Sequence, residues 1–145
     1  MFFDNASRQT CTVKASRTNT PLHALQTLNN TAYVEAARTL AQKTLLEHPA
    51  DHAALQTRLE EIDSVRIDTV MKRILARPAS APEQKILPRG LNRTRVQFAE
   101  GTKDALALLA VGASKHDESI SPNELASWTN LCLAILNLDE ALNRE

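Results

Sequence analysis

Residues 121–138 read SPNELASWTNLCLAILNL, and this stretch decides the fold class. Ser121 and Glu124 have the spacing of a capping box, in which two side chains satisfy free backbone amides at a helix start. Pro122 suits the first helical position. Apolar residues then recur at helical spacing, at Leu125, Trp128, Leu131, Cys132, Ile135, Leu136 and Leu138. The stretch therefore predicts an amphipathic helix ending near Leu138, with Trp128 in the core.

Working outward, residues 1–50 predict two helices after an extended segment. Residues 1–19 show no clean helical period, so we expect an extended N-terminal segment that docks on the domain. Thr18-Asn19-Thr20 followed by Pro21 is typical of a helix start. The polar run Asn29-Asn30-Thr31 suits the end of that helix and the cap of the next, which His48-Pro49 should stop.

The region between residues 51 and 79 predicts one long helical segment. Asp51 can cap it, and apolar stripes continue to Ala76. Asp63-Ser64 interrupts the stripes, so a kink is expected there. Arg77-Pro78 begins a connection.

Two further helices are expected before residue 121. Ser80 and Glu83 repeat the capping-box spacing, but Pro88 should break or kink the helix by removing an amide donor. A short helix over Lys103–Val111 should end at Gly112. The sequence thus predicts an all-α fold: an irregular array of five to seven helices with an extended N-terminal segment.

Composition limits the classes of function. The 145 residues suit one domain, and 43 % apolar with 23 % charged residues is ordinary for a globular protein. Lys plus Arg equals Asp plus Glu at 17 each, so no overall field attracts nucleic acid or an anionic membrane. No apolar run reaches the roughly 20 residues that a membrane helix needs. The start of the chain lacks the pattern of a signal peptide, which by itself favours the cytoplasm.

Charge is nevertheless uneven along the chain. Between residues 66 and 95, eight basic residues stand against two acidic ones, a local balance of +6. Such stretches are usually solvated helix faces, and the alternative is a salt-sensitive docking patch. The stretch contains no aromatic residue that could stack on a base, which argues against nucleic acid.

Chemical motifs are absent from the sequence. The three glycines are scattered, so no phosphate-binding loop is predicted. Cys11 and Cys132 lie far apart and form no haem, zinc or redox motif. They are expected to be separate structural thiols, with a long-range disulfide as the alternative in an oxidising compartment. His48 and His52 are four apart, but Pro49 argues against one helix presenting both to a metal. We expect no catalytic, cofactor-binding or metal-binding residue.

One polar cluster near the N-terminus could bind an anion or a sugar. Two arginines and the free amides of a helix start are suited to a carboxylate, sulfate or hydroxyl group. The candidate residues are Arg8, Arg17, Asn19, Thr20 and Asn29. In the structural alternative, Thr18, Asn19 and Thr20 satisfy the backbone, and Asn29 and Asn30 form a turn between helices. An arginine then ties the N-terminal segment to a carboxylate such as Asp139 or Glu140.

Several motifs, taken together, resemble those of one protein family. They include Cys11-Thr12-Val13, Arg17-Thr18-Asn19-Thr20-Pro21-Leu22, Tyr33-Val34-Glu35-Ala36-Ala37-Arg38 and Leu136-Asn137-Leu138-Asp139-Glu140. The chain resembles the planctomycete cytochrome-associated C-terminal domain of unknown function. The resemblance implies that residues 1–145 are a single helical module, the truncated C-terminal part of a larger domain in an exported or periplasmic protein. It also implies that haem c belongs only to upstream modules.

The expected function is a non-catalytic helical module that packs against upstream domains of a cytochrome-linked extracytoplasmic protein involved in polysaccharide breakdown. A truncated module would expose an apolar face, so self-association is also expected. One alternative is the anion- or sugar-binding part of a hydrolase-like or redox assembly. A second alternative is an independent cytosolic protein-interaction module.

Overall fold

The computed structural model describes residues 21–50 and 56–142, and within these ranges the chain forms helices and no β-strand. The seven helices are α1 (Pro21–Asn29), α2 (Thr31–Glu47), α3 (Gln56–Leu75), α4 (Ala81–Glu100), α5 (Thr102–Leu109), α6 (Pro122–Leu136) and α7 (Asp139–Leu142). The all-α prediction is confirmed. The predicted extended segment over residues 1–19 and the cap at Asp51 lie outside the described residues.

Helix α6 is the centre of the fold. It packs most extensively against α2, α4 and α5, and it also contacts α3 and α7. Leu125 and Trp128 are fully buried and Ile135 is 1 % exposed, so the prediction that Trp128 belongs to the core is confirmed. The helix is shorter than predicted and ends at Leu136, where Asn137 forms its cap and its backbone N–H bonds to the carbonyl of Leu133.

The boundary between α1 and α2 is where the sequence predicts it. Asn30 has an extended backbone, and its side-chain oxygen accepts a hydrogen bond of 2.9 Å from the amide of Ala32. Helix α2 ends at Glu47, directly before His48-Pro49. Helix α1 also contacts the C-terminal end of α6. The Thr27 hydroxyl lies 2.5 Å from Oδ1 of Asn137.

Neither Asp63-Ser64 nor Pro88 ends a helix. Helix α3 is continuous through Asp63-Ser64, and a kink there stays a prediction. Of the break or kink predicted at Pro88, the break does not occur, because α4 continues from Ala81 to Glu100 with the proline inside it. A proline removes one amide donor and clashes with the preceding turn, whereas burial of Leu91 and Phe98 in the core and the Ser80–Glu83 cap support the helix on both sides of it. No helix in the described ranges is long and apolar enough to cross a membrane.

Candidate functional site

The ligand site predicted from sequence is only partly within the described residues. Arg8, Arg17, Asn19 and Thr20 lie outside them. Asn29 ends α1, is exposed, and donates its amide to the carbonyl of Leu25 at 2.7 Å. This amide therefore binds the backbone of its own helix.

The densest group of ionisable side chains is a four-residue cluster formed by Asp63, Arg66, Arg95 and Glu124, here called the central charge cluster. Arg95 donates to both carboxylates: its distances are 2.6 and 3.1 Å to Asp63, and 2.9 and 2.5 Å to Glu124. Arg66 lies 3.3 Å from Asp63 and 3.9 Å from Glu124. Two positive and two negative charges thus connect α3, α4 and α6.

Neighbouring groups complete this cluster. Arg66 donates to the carbonyl of His48 at 3.0 and 2.5 Å, which attaches the end of α2. The Trp128 ring nitrogen donates to Glu124 at 2.9 Å. The guanidinium carbon of Arg66 also lies 5.7 Å from the centre of the Trp128 ring, within the range of a cation–π contact. The cluster therefore anchors both the tryptophan and the α2 terminus.

The electrostatics keep Arg66, Arg95 and Glu124 ionised. Burial lowers the pKa of Arg66, but a guanidinium does not deprotonate in proteins. For Arg95 burial acts in the same direction, and the hydrogen bonds to Glu124 and Asp63 outweigh it and raise its pKa. Burial opposes ionisation of Glu124, yet Arg95 holds the pKa of that carboxyl below its ordinary value. A general acid or base needs a pKa near the working pH. The shifts of Arg95 and Glu124 lead away from that range, so the arrangement suits a structural role better than acid–base catalysis.

A second buried cation holds the loop between α5 and α6. Arg38 of α2 is 1 % exposed and donates to the carbonyls of Leu109, Val111 and Ser114, the last two at 2.8 and 2.7 Å. Its neighbour Glu35 accepts from the amide of Ser114 at 2.8 Å. The side chain of Ser114, followed by the backbone amides of Ser114 and Ala113, lowers the pKa of Glu35. The last carbonyls of a helix have no donor within the helix. Arg38 supplies hydrogen-bond donors to the end of α5 and to the loop that follows it.

A third cluster joins the α3–α4 connection to the C-terminal helix. Arg77 binds Glu83 at 2.8 and 2.9 Å and Glu140 at 2.7 and 2.6 Å. Glu83 also accepts from the Ser80 backbone at 2.7 Å, so the predicted capping residue serves two partners. Arg77 and Ser80 lower the pKa of Glu83 to about 2. Whether Arg8 or Arg17 reaches Asp139 or Glu140 lies outside the described residues.

Other reactive groups offer little chemistry. Cys132 is a free thiol in the core, and burial raises its pKa to about 12. A thiol reacts as the thiolate, so Cys132 is inert at neutral pH. Within residues 21–50 and 56–142, no three His, Cys, Asp or Glu side chains are placed to hold a metal ion.

An open depression of about 890 Å³ lies along α2. Ala32, Ala36 and Leu40 form its apolar part, and the ion pair between Glu47 and Arg73, at 2.6 Å, borders it. The polar groups around it include Glu35 and Arg73, which already bind protein partners. The depression has the character of a contact surface.

The basic stretch of residues 66–95 separates into two groups. Arg66, Arg73, Arg77 and Arg95 form ion pairs, and Arg66 is buried. The other four basic residues are exposed: Lys72 lies on α3, and the remaining three lie on α4. The outer face of α4 consists of Lys85, Ile86, Arg89, Gly90, Arg93 and Val96, all of them exposed.

The sequence interpretation missed the central charge cluster. Two local signals were present, because Asp63 and Arg66 are three apart and Glu124 and Trp128 are four apart on helices. No local signal pairs Arg95 with either carboxylate.

Comparison with known proteins gives a family assignment without a function. The family model described as PSD1, a protein of unknown function (DUF1553), matches residues 1–91. No curated protein and no solved structure matches the chain.

Proposed function

The chain belongs to the PSD1 family of proteins of unknown function, and from that premise we propose that it is a helical module without catalytic residues. The module packs against neighbouring domains of a larger protein, of which it is the C-terminal part. We further propose that this protein is exported, linked to a cytochrome and involved in polysaccharide breakdown. The resemblance of the motifs at residues 17–22 and 136–140 supports that context.

The observation that carries the proposal is the closure of the central charge cluster. Both oxygens of Asp63 and both oxygens of Glu124 accept hydrogen bonds from arginine. A catalytic carboxylate needs an oxygen directed at substrate, and a ligand-binding arginine needs a free donor edge. Here the arginines and carboxylates of the central charge cluster bind one another. Their ion pairs connect α3, α4 and α6 and so stabilise the helix array.

The residues present do not fit haem c. Covalent attachment needs two cysteines separated by two residues and followed by histidine. The sequence has only Cys11 and Cys132, and Cys132 is fully enclosed by the core. We therefore propose that any haem belongs to upstream modules and that electron transfer does not use this chain.

Packing against another domain needs an exposed apolar surface. Leu25 and Leu28 of α1 are 58 % and 36 % exposed, and Leu138 is 39 % exposed. The bond between Thr27 and Asn137 brings α1 to the same end of the molecule as Leu138. We propose that these three leucines, the α1 leucine surface, contact the neighbouring domain, because exposed apolar patches mark interaction sites.

Hydrogen–deuterium exchange tests this proposal. The isolated 145-residue chain is compared with the longer natural protein that contains it, because a contact within one chain benefits from a high effective concentration. We expect slower exchange in α1 and in residues 137–142 of the longer protein, with unchanged exchange in the centre of α6. Leu25→Gln with Leu28→Gln should abolish the difference.

Two results would contradict the proposal. Equal exchange of α1 in both proteins would show that the α1 leucine surface does not contact a neighbouring domain. Hydrolysis of a polysaccharide by the isolated chain, lost on substituting Glu124→Gln in a chain that remains folded, would show that the central charge cluster is catalytic.

A further inference from the structure

The outer face of α4 presents a row of three positive charges. Lys85, Arg89 and Arg93 are spaced four residues apart, so they lie along one side of the helix over about 12 Å. All three are exposed, and none forms an ion pair with a described residue. They differ in this respect from Arg95 of the same helix, which binds Asp63 and Glu124.

Nothing within α4 neutralises this row. The helix has no acidic residue between Glu83 and Glu100, and Glu83 is already bound by Arg77. Like charges four residues apart on a helix repel one another. A row of carboxylates from outside the helix would relieve that repulsion, so the charge pattern favours an acidic partner over a basic or apolar one.

Apolar groups lie beside the charges. Ile86 is 64 % exposed and Val96 is 61 % exposed, the highest values among the large apolar side chains in the described part of the chain. Between them is Gly90, where an added side-chain carbon would meet nothing within 4 Å. A glycine in the middle of a helix permits close approach by another backbone. The face thus combines a charged row, two apolar contacts and a low point between them.

These features favour a helix over other partners. Single-stranded nucleic acid would call for aromatic stacking, and the outer face has none. A membrane-surface helix would show a broader apolar side with Trp, Phe or Leu, whereas this face has one isoleucine and one valine. We propose that the outer face of α4 binds an acidic amphipathic helix of a protein partner, with carboxylates every fourth residue facing Lys85, Arg89 and Arg93. This surface differs from the α1 leucine surface, so the inference does not depend on the proposed function.

The test measures fluorescence anisotropy of a labelled synthetic helix that has glutamate at every fourth position and leucine on the adjacent row. We expect saturable binding to the 145-residue chain, weakened as salt rises, because the screening length falls from about 30 Å at 0.01 M to about 3 Å at 1 M. Changing Lys85→Glu, Arg89→Glu and Arg93→Glu together should weaken binding by about tenfold or more. Ile86→Ser with Val96→Ser should also weaken it.

A matched control separates this face from general charge. Lys43→Glu, Lys72→Glu and Lys103→Glu together change the net charge equally at exposed positions elsewhere, and this variant should bind as the wild type does. Circular dichroism confirms that each variant stays helical. Equal weakening by both triple variants would overturn the proposal, as would no binding of the acidic helix. Binding of single-stranded DNA or phosphatidylserine vesicles in preference to the acidic helix would overturn it too.

Discussion

Arg95 donates two hydrogen bonds to Asp63, at 2.6 and 3.1 Å, across thirty-two positions of sequence. The adjacent edge of the same guanidinium, formed by Nε and the shared Nη2, binds Glu124 on α6. One side chain on α4 therefore holds the buried carboxylate of Asp63 and the partly buried carboxylate of Glu124, which come from two other helices. Its planar shape suits this double contact. Lysine could not bind both carboxylates in the same way, because its ammonium group is a single point of charge.

Replacing Arg95→Met is expected to destabilise the fold by about 3 kcal/mol. Removing one partner of a buried ion pair leaves an uncompensated charge, and here Asp63 would keep only its 3.3 Å contact with Arg66. Urea unfolding followed by circular dichroism measures the change. Arg93→Met on the outer face of the same helix is the control, and we expect a change within about 0.5 kcal/mol. Equal stability losses in the two variants would show that the ion pairs of Arg95 add no more to the free energy of unfolding than an exposed arginine does.

Helix positions were predictable because their signals are local. The Asn30 cap, the stop at His48-Pro49 and the Ser80–Glu83 capping box depend on residues within a few positions of one another. Pro88 misled the interpretation for the opposite reason. Its local cost is real, but burial of Leu91 and Phe98 in the core, which only the whole fold provides, outweighs it.

The polar clusters were not predictable because their partners are distant in sequence. Arg38 binds carbonyls more than seventy positions away, and Arg77 binds Glu140 across sixty-three. A count of charges gives the +6 stretch at residues 66–95, but it cannot say which cations turn inward. Of the predicted ligand-binding residues, only Asn29 falls within the described ranges, so that site stays a prediction.

Replacing Arg38→Met is expected to cost about 2–4 kcal/mol and to loosen the loop that follows α5. The carbonyls of Leu109, Val111 and Ser114 would lose a charged donor, and the buried carbonyl of Leu109 would be left without this partner, which is costly. Hydrogen–deuterium exchange should accelerate over residues 110–120. Lys43→Met, an exposed change on the same helix, should leave both stability and exchange unaltered. Unchanged exchange of residues 110–120 in Arg38→Met would show that the conformation of this loop does not depend on Arg38.

The two glycines Gly90 and Gly112 should respond to alanine in opposite directions. At Gly90 the new carbon meets nothing, and the better helix propensity of alanine should stabilise the chain by about 0.5–1 kcal/mol. Gly112 has φ of +100°, and its added carbon would lie 2.7 Å from Oε2 of Glu35. Gly112→Ala should therefore destabilise by about 1–3 kcal/mol. Thermal unfolding of both variants measures this contrast, and a shift in the same direction would contradict it.

Acid should weaken the fold partly through Glu83. Arg77 and Ser80 lower the pKa of this carboxyl in the folded chain to about 2, so the unfolded chain takes up the proton first as pH falls. The stabilisation by Glu83 is therefore fully present above its ordinary pKa of 4.5 and is lost progressively between about 4.5 and about 2. Urea midpoints measured from neutral pH down to about pH 2 should show this loss.

Glu83→Gln separates the charge of Glu83 from its role in the helix cap. Glutamine can still accept from the Ser80 amide, as the capping box allows, but it has no charge to offer Arg77. We expect this variant to be less stable than the wild type at neutral pH and to lose less stability in acid. Glu61→Gln, at an exposed position of α3, should keep the wild-type pH dependence. If Glu83→Gln and the wild type lost stability in parallel, the ion pair with Arg77 would be a contact without consequence for stability.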